Sequence, residues 1–117
     1  MIYQTNIKGI GTEAEAFEEE KMVILFGDNA PDELVDFCYI IDINEVEGEI
    51  TEENTLKIDD EEYKITKVGT AVRKNLNDLG HITLKFDGSE HAEQSGTLYL
   101  ENKEMPKFKE NSTLVIK

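Results

Sequence analysis

The chain has 117 residues, of which 38% are hydrophobic; 12 basic against 26 acidic side chains give a formal net charge of −14. That length suits a single domain over residues 1–117 with a core of its own, and that charge sets the surface against nucleic-acid phosphates and anionic membranes, so neither is expected as a partner. The longest clear apolar run, residues 22–26, is too short to span a bilayer. The opening residues lack the basic, apolar and small-residue pattern of an export signal, and with one cysteine, Cys38, a reducing cytoplasm is the expected setting.

Residues 2–10 alternate loosely and stop at Gly9 and Gly11, which predicts a first strand. The acidic stretch 12–20 carries Thr12 and Glu15 at capping-box spacing; it predicts a short helical turn, with a solvated strand as the alternative. Residues 21–26 read as a strand that GDNAP, 27–31, interrupts. Pro31 followed by acids then predicts a short helix to Phe37. The β-branched and aromatic run FCYIIDI, 37–43, predicts a strand with Tyr39, Ile41 and Ile43 on one face and Cys38, Ile40 and Asp42 on the other.

Residues 48–50 and 55–58 are short strand candidates, and 58–63 a hairpin without the glycine that a tight primed turn favours. Residues 63–68 alternate cleanly, and Gly69 marks a bulge or a close backbone approach. Residues 72–79 predict a helical turn ending at Gly80. In LGHITLKFDG, 79–88, Ile82, Leu84 and Phe86 point one way and His81, Thr83, Lys85 and Asp87 the other. Residues 96–100 and 113–116 supply the last strands. Many short strands and little helix predict a mainly β fold, a small closed or nearly closed barrel or sandwich with one or two short helices. Closure would remove exposed strand edges.

The residues support little metal or cofactor chemistry. One cysteine and two histidines ten positions apart do not make a zinc set. The acidic clusters 18–20 and 59–62 lack the order of a calcium loop, and no phosphate-binding glycine loop or nucleophile elbow is present. No metal or cofactor is therefore expected. Cys38, among apolar neighbours, reads as a core residue. His81 is the candidate chemical group, because an imidazole takes up a proton or a phosphoryl group near neutral pH. On its face of the strand it stands beside Thr83, with Lys85 one pair further on, a hydroxyl and a cation suited to phosphoryl oxygens. The alternative is a histidine whose ring bonds the backbone at the Gly80 turn.

The stretches IYQT (2–5), ILFGDNAPDEL (24–34), YKITKVGTAVRKNLNDLGHITLKFDG (63–88) and AEQSGTLYL (92–100) resemble the glucitol/sorbitol-specific enzyme IIA family of the bacterial sugar phosphotransferase system. The resemblance runs through nearly the whole chain. It implies a small cytoplasmic β protein that accepts a phosphoryl group from the carrier HPr and passes it to the IIB part of a IIB/IIC permease. It also implies that the family's acceptor histidine falls where this chain has Ile41, and that the proline-glycine before TLYL is here Ser95-Gly96. An isoleucine has no lone pair to offer phosphorus. Three readings follow: a working phosphocarrier using His81 or, less readily, His91; a phosphotransfer-silent binding or regulatory module; or a family acceptor that was His81 all along. If residue 41 stands where an acceptor meets its partner, Tyr39, Ile41 and Ile43 are expected to form a partly exposed apolar stripe for docking or self-association. The competing expectation is that this face is barrel core.

Overall fold

Two eight-residue strands turn the corners of the molecule. In the computed structural model, which describes all 117 residues, β1 (Tyr3–Ile10) and β5 (Glu61–Val68) each pair with different neighbours along their two halves. Residues 3–6 of β1 pair with β8 (Thr113–Ile116), and residues 7–10 pair with β3 (Tyr39–Ile41) after a register shift between Ile7 and Gly9. In the same way β5 pairs first with β4 (Thr55–Ile58) and then with β7 (Thr97–Leu100), its register shifting between Ile65 and Lys67. Such irregularities bend a strand and let one sheet curl onto another. With β2 (Met22–Gly27) and β6 (Ile82–Lys85) the eight strands close in the order β1-β3-β2-β6-β7-β5-β4-β8. The expected mainly β barrel is the observed fold.

Two of the eight pairings are parallel, β2 with β3 and β6 with β7. Each requires the chain to return to the end it left. The first return, residues 28–38, contains the four-residue α1 (Asp32–Val35); the second, residues 86–96, wraps the outside of β7. That wrap explains why all four residues of β7 are buried although a barrel strand has an outer face. On the other strands the alternation largely holds, the last residues of β2 excepted. Leu25, Leu56, Leu84, Leu98 and Ile116 are fully enclosed, each burial contributing about 1.5–3 kcal/mol.

The strand directions give the barrel two distinct ends. One gathers the last residues of β2 and β3 and the first of β6 and β7, and is covered by α2 (Val72–Leu79), which buries Val72 and Leu76. The other is crossed by residues 101–112, whose Met105 and Phe108 pack on the core.

Some expected details differ. Residues 48–50 are not a strand: Glu47 N–H donates to Ile2 O at 2.8 Å and Val46 N–H to Asn77 Oδ1 at 2.7 Å, isolated ties rather than a ladder. The acidic stretch 12–20 ends in a single 3-10 turn, Glu18–Glu20, with no side-chain cap. The β4–β5 hairpin turns without glycine because Asp59 takes φ +52° and its carboxylate accepts from Ser112 Oγ at 2.8 Å and Thr113 N–H at 2.9 Å; aspartate tolerates the left-handed region better than most residues.

Gly80 ends α2 at φ +66° with its N–H donating to Leu76 O at 3.1 Å. A Cβ there would sit 3.0 Å from Gly27 N and 3.2 Å from Gly27 Cα, against backbone that has nowhere to go. Gly80→Ala is therefore expected to lower stability by about 2 kcal/mol from the left-handed conformation and the crowding together, read as a lower midpoint in chemical denaturation; an unchanged midpoint would contradict this account of the turn.

Candidate functional site

The α2 terminus delivers His81 to the outer wall of the barrel. After the Gly80 turn, His81 N–H donates to Asn75 O at 3.2 Å, which ties the residue to the helix it has just left. The next residue, Ile82, pairs with Leu25 of β2 and turns inward at 2% exposure. Period-two alternation then puts His81, Thr83 and Lys85 outside, as the sequence predicts, and all three are half-buried.

The imidazole does not bond the backbone at the Gly80 turn. It lies flat on Phe26, ring centroids 4.0 Å apart and planes 11° from parallel. Phe26 is 5% exposed yet stands outside the main core cluster, so the imidazole is part of its cover. Neither ring nitrogen is a buried polar atom without a partner; Tyr3 Oη is the one atom of that kind. The nitrogens thus keep contact with solvent while the ring face is covered. Burial pushes the His81 pKa below its ordinary value of 6.5, because a cationic imidazole loses hydration against an aromatic face. At neutral pH the ring is therefore the free base, with a lone pair available.

Beside the ring runs an open cleft of about 460 Å³ between the outer faces of β6 and β7, lined by His81, Thr83, Lys85, Asn75, Glu93 and Thr97 among others. The parallel register sets Thr83 opposite Thr97 and Lys85 opposite Tyr99. The 86–96 return closes one side, fixed by Gln94 N–H donating to Tyr99 Oη at 3.0 Å. Lys85 is the cation of the cleft, with Asp87 3.7 Å away. His91 is exposed on that same return and lies outside the cleft lining. No three His, Cys, Asp or Glu side chains converge as a metal set would.

The expected apolar stripe is corrected. Tyr39 and Ile41 are core residues at 4% and 1% exposure, and only Ile43 reaches the surface, at 37%. The reason is closure: β3 is hydrogen-bonded on both edges, to β1 and to β2, and its Tyr39 and Ile41 face turns into the barrel. Ile43, beyond the strand end, folds over Gly27, where a Cβ would come within 2.5 Å of its Cδ1. Its loop is held by Thr5 Oγ1 donating to Asp42 O at 2.8 Å and Asn44 Nδ2 donating to Gln4 O at 2.7 Å. The Ile41 Cδ1 lies beside Gly80, 3.4 Å from where a Cβ would be, so positions 41 and 81 belong to the same end of the barrel. Sequence reasoning missed Phe26 as the support of His81; its only signal was an aromatic residue on the outward face of an otherwise buried strand.

A proton titration tests the environment of His81. Its ring signals in NMR should titrate with a midpoint below 6.5, and Phe26→Leu, which removes the stacked ring, should move that midpoint upward. The depressed value also means that the unfolded chain binds the proton more readily, so His81 favours the fold above pH 6.5 and that contribution fades as pH falls through the folded midpoint. A midpoint at or above 6.5 would contradict the stacked, desolvated ring.

The family model described as the glucitol/sorbitol-specific IIA component of the phosphotransferase system matches residues 2–115. The glucitol/sorbitol-specific EIIA components of Shigella flexneri and of Escherichia coli K12 are each 36% identical over 100 residues, covering 86% of this chain and 81% of theirs. The crystal structure of a phosphotransferase system IIA component from Enterococcus faecalis V583 superposes with a TM-score of 0.83 at 32% identity, over 97% of this chain and 98% of that one. A match of this extent in sequence and in three dimensions means that the chain belongs to the glucitol/sorbitol-specific IIA component family of the sugar phosphotransferase system.

Proposed function

We propose that this chain is a cytoplasmic phosphocarrier that takes a phosphoryl group from HPr onto His81 and yields it to the IIB part of a hexitol permease. The observation that carries this reading is the uncharged, partly accessible imidazole on Phe26 beside the cleft of Thr83 and Lys85. A lone pair on one ring nitrogen attacks the phosphorus of the donor phosphohistidine; a new N–P bond forms as the donor's N–P bond breaks. The other nitrogen of His81 gives up its proton and the departing imidazole takes one, so charge and protons balance. Lys85 and the Thr83 hydroxyl are suited to the equatorial oxygens, and docking of a partner excludes water that would otherwise hydrolyse the phosphoimidazole. Ile43 and Leu79, each 37% exposed and flanking the α2 end, supply apolar surface for that docking.

A second reading is favoured by a specific observation. The resemblance assigns the family's acceptor to position 41, and that position holds an isoleucine at 1% exposure. On this reading His81 serves to cover Phe26, and the chain is a phosphotransfer-silent partner or regulator of the system.

Incubation with phosphoenolpyruvate, enzyme I and HPr, followed by intact mass measurement, separates the two. The phosphocarrier reading expects one added phosphoryl group, absent in His81→Ala and retained in His91→Ala. Lys85→Ala should slow its acquisition roughly 10-fold or more, the scale of one lost charge-assisted contact. An unmodified wild-type mass would establish the silent reading. In that case Ile41→His should restore acceptance if position 41 is the family's acceptor.

A further inference from the structure

The end of the barrel opposite α2 carries a second cleft that the phosphotransfer reading does not use. We propose that this cleft binds a small organic cation, a guanidinium or ammonium head on an aliphatic stem. It has a volume of about 310 Å³ and opens where residues 101–112 cross the barrel mouth, the size of the smaller ligand sites in proteins. Its floor is apolar and aromatic. Tyr39 and Phe108 pack on each other with ring centroids 4.7 Å apart and planes tilted by 36°, and Val23 and Ile10 complete the surface. Its rim is anionic: Glu15, Glu18 and Glu104 line it against one cation, Lys107. None of these charged groups takes part in the molecule's ion pairs, which lie elsewhere.

The polar atom on the floor has no partner within the chain and opens to solvent. Tyr39 is 4% exposed and its hydroxyl has no protein hydrogen-bond partner. The neighbouring phenols differ: Tyr63 Oη donates to Glu104 O at 2.7 Å, and Tyr99 Oη accepts from Gln94 N–H at 3.0 Å. Burial and the nearby Glu15 and Glu18 carboxylates push the Tyr39 pKa up, which keeps the hydroxyl protonated with its oxygen lone pairs free to accept. A cationic N–H group placed there meets that oxygen, an aromatic wall and unpaired carboxylates. An aromatic face attracts a cation electrostatically, and the apolar floor suits a methylene stem. An anion would meet three carboxylates against the single cation Lys107.

The proposal is independent of His81 and stands or falls separately. Agmatine, a guanidinium and an ammonium joined by a short alkyl chain, serves as the probe, titrated into the full chain and followed by amide NMR shifts and calorimetry. The expected result is saturable binding with shifts confined to the neighbourhood of Ile10, Glu15, Glu18, Tyr39 and Phe108. Affinity should fall roughly 10-fold in the Glu15→Gln/Glu18→Gln double variant and should also fall in Tyr39→Phe. It should hold in Glu49→Gln/Glu53→Gln, which removes the same charge at the other end. Non-saturating shifts spread over the acidic surface, or equal losses in the two double variants, would overturn the proposal and leave only counterion attraction to a chain of charge −14. A parallel titration with a capped arginine amide tests the source of the cation. Weaker binding than agmatine supports a free small cation; stronger binding overturns it in favour of an arginine side chain presented by a protein.

Discussion

The pairing of β1 with β8 closes the molecule, and much else follows from it. Tyr3 opposite Ile116 and Asn6 opposite Thr113 join the two ends of the chain into one hydrogen-bonded wall. A closed wall has no free edge to recruit another strand. It also commits the inward positions to packing, since the interior of this eight-stranded barrel is filled by its own side chains. Chemistry is thereby restricted to the outer wall, where His81 precedes Thr83 and Lys85 of β6, and to the two ends, where loops and α2 meet the strands.

This restriction explains the contrast between positions 41 and 81. Both lie at the α2 end, yet Ile41 faces inward and fills space beside Gly80, whereas His81 faces outward and lies on Phe26. The outward ring has two attributes that compete. Stacking removes hydration from one face and lowers its proton affinity, which favours the nucleophilic free base; the same stacking makes the ring a cover for an otherwise exposed aromatic residue. An imidazole can serve either purpose in the same place.

The acidic surface is unevenly disposed. Of the five ion pairs, four have both side chains 40% or more exposed, where water and salt leave each worth at most about 1 kcal/mol. Charge therefore does little for the fold and much for the surroundings. Around His81 one lysine offsets the local carboxylates. At the opposite mouth, unpaired glutamates stand around an aromatic floor. The two clefts differ in charge balance: one lysine faces Glu93 in the first, and one lysine faces three glutamates in the second.

Composition and alternation made the strand-rich fold legible, along with the inward set Ile82, Leu84 and Phe86 and the outward set that includes His81. The glycine cap at 80 was legible too, because a left-handed helix end has a local chemical signature. Other features were not. Residues 48–50 carry strand-like residues, but no neighbour lies where a ladder would need one. Tyr39 and Ile41 were correctly assigned to one face, while which side of the wall that face lines is not written in a period of two. The sequence by itself determined which residues share a face and which family the chain resembles, since both are properties of local order. The tertiary structure alone decided inside from outside, the Phe26 support beneath His81 and the cleft at Tyr39, because each depends on strands brought together by closure from distant parts of the chain.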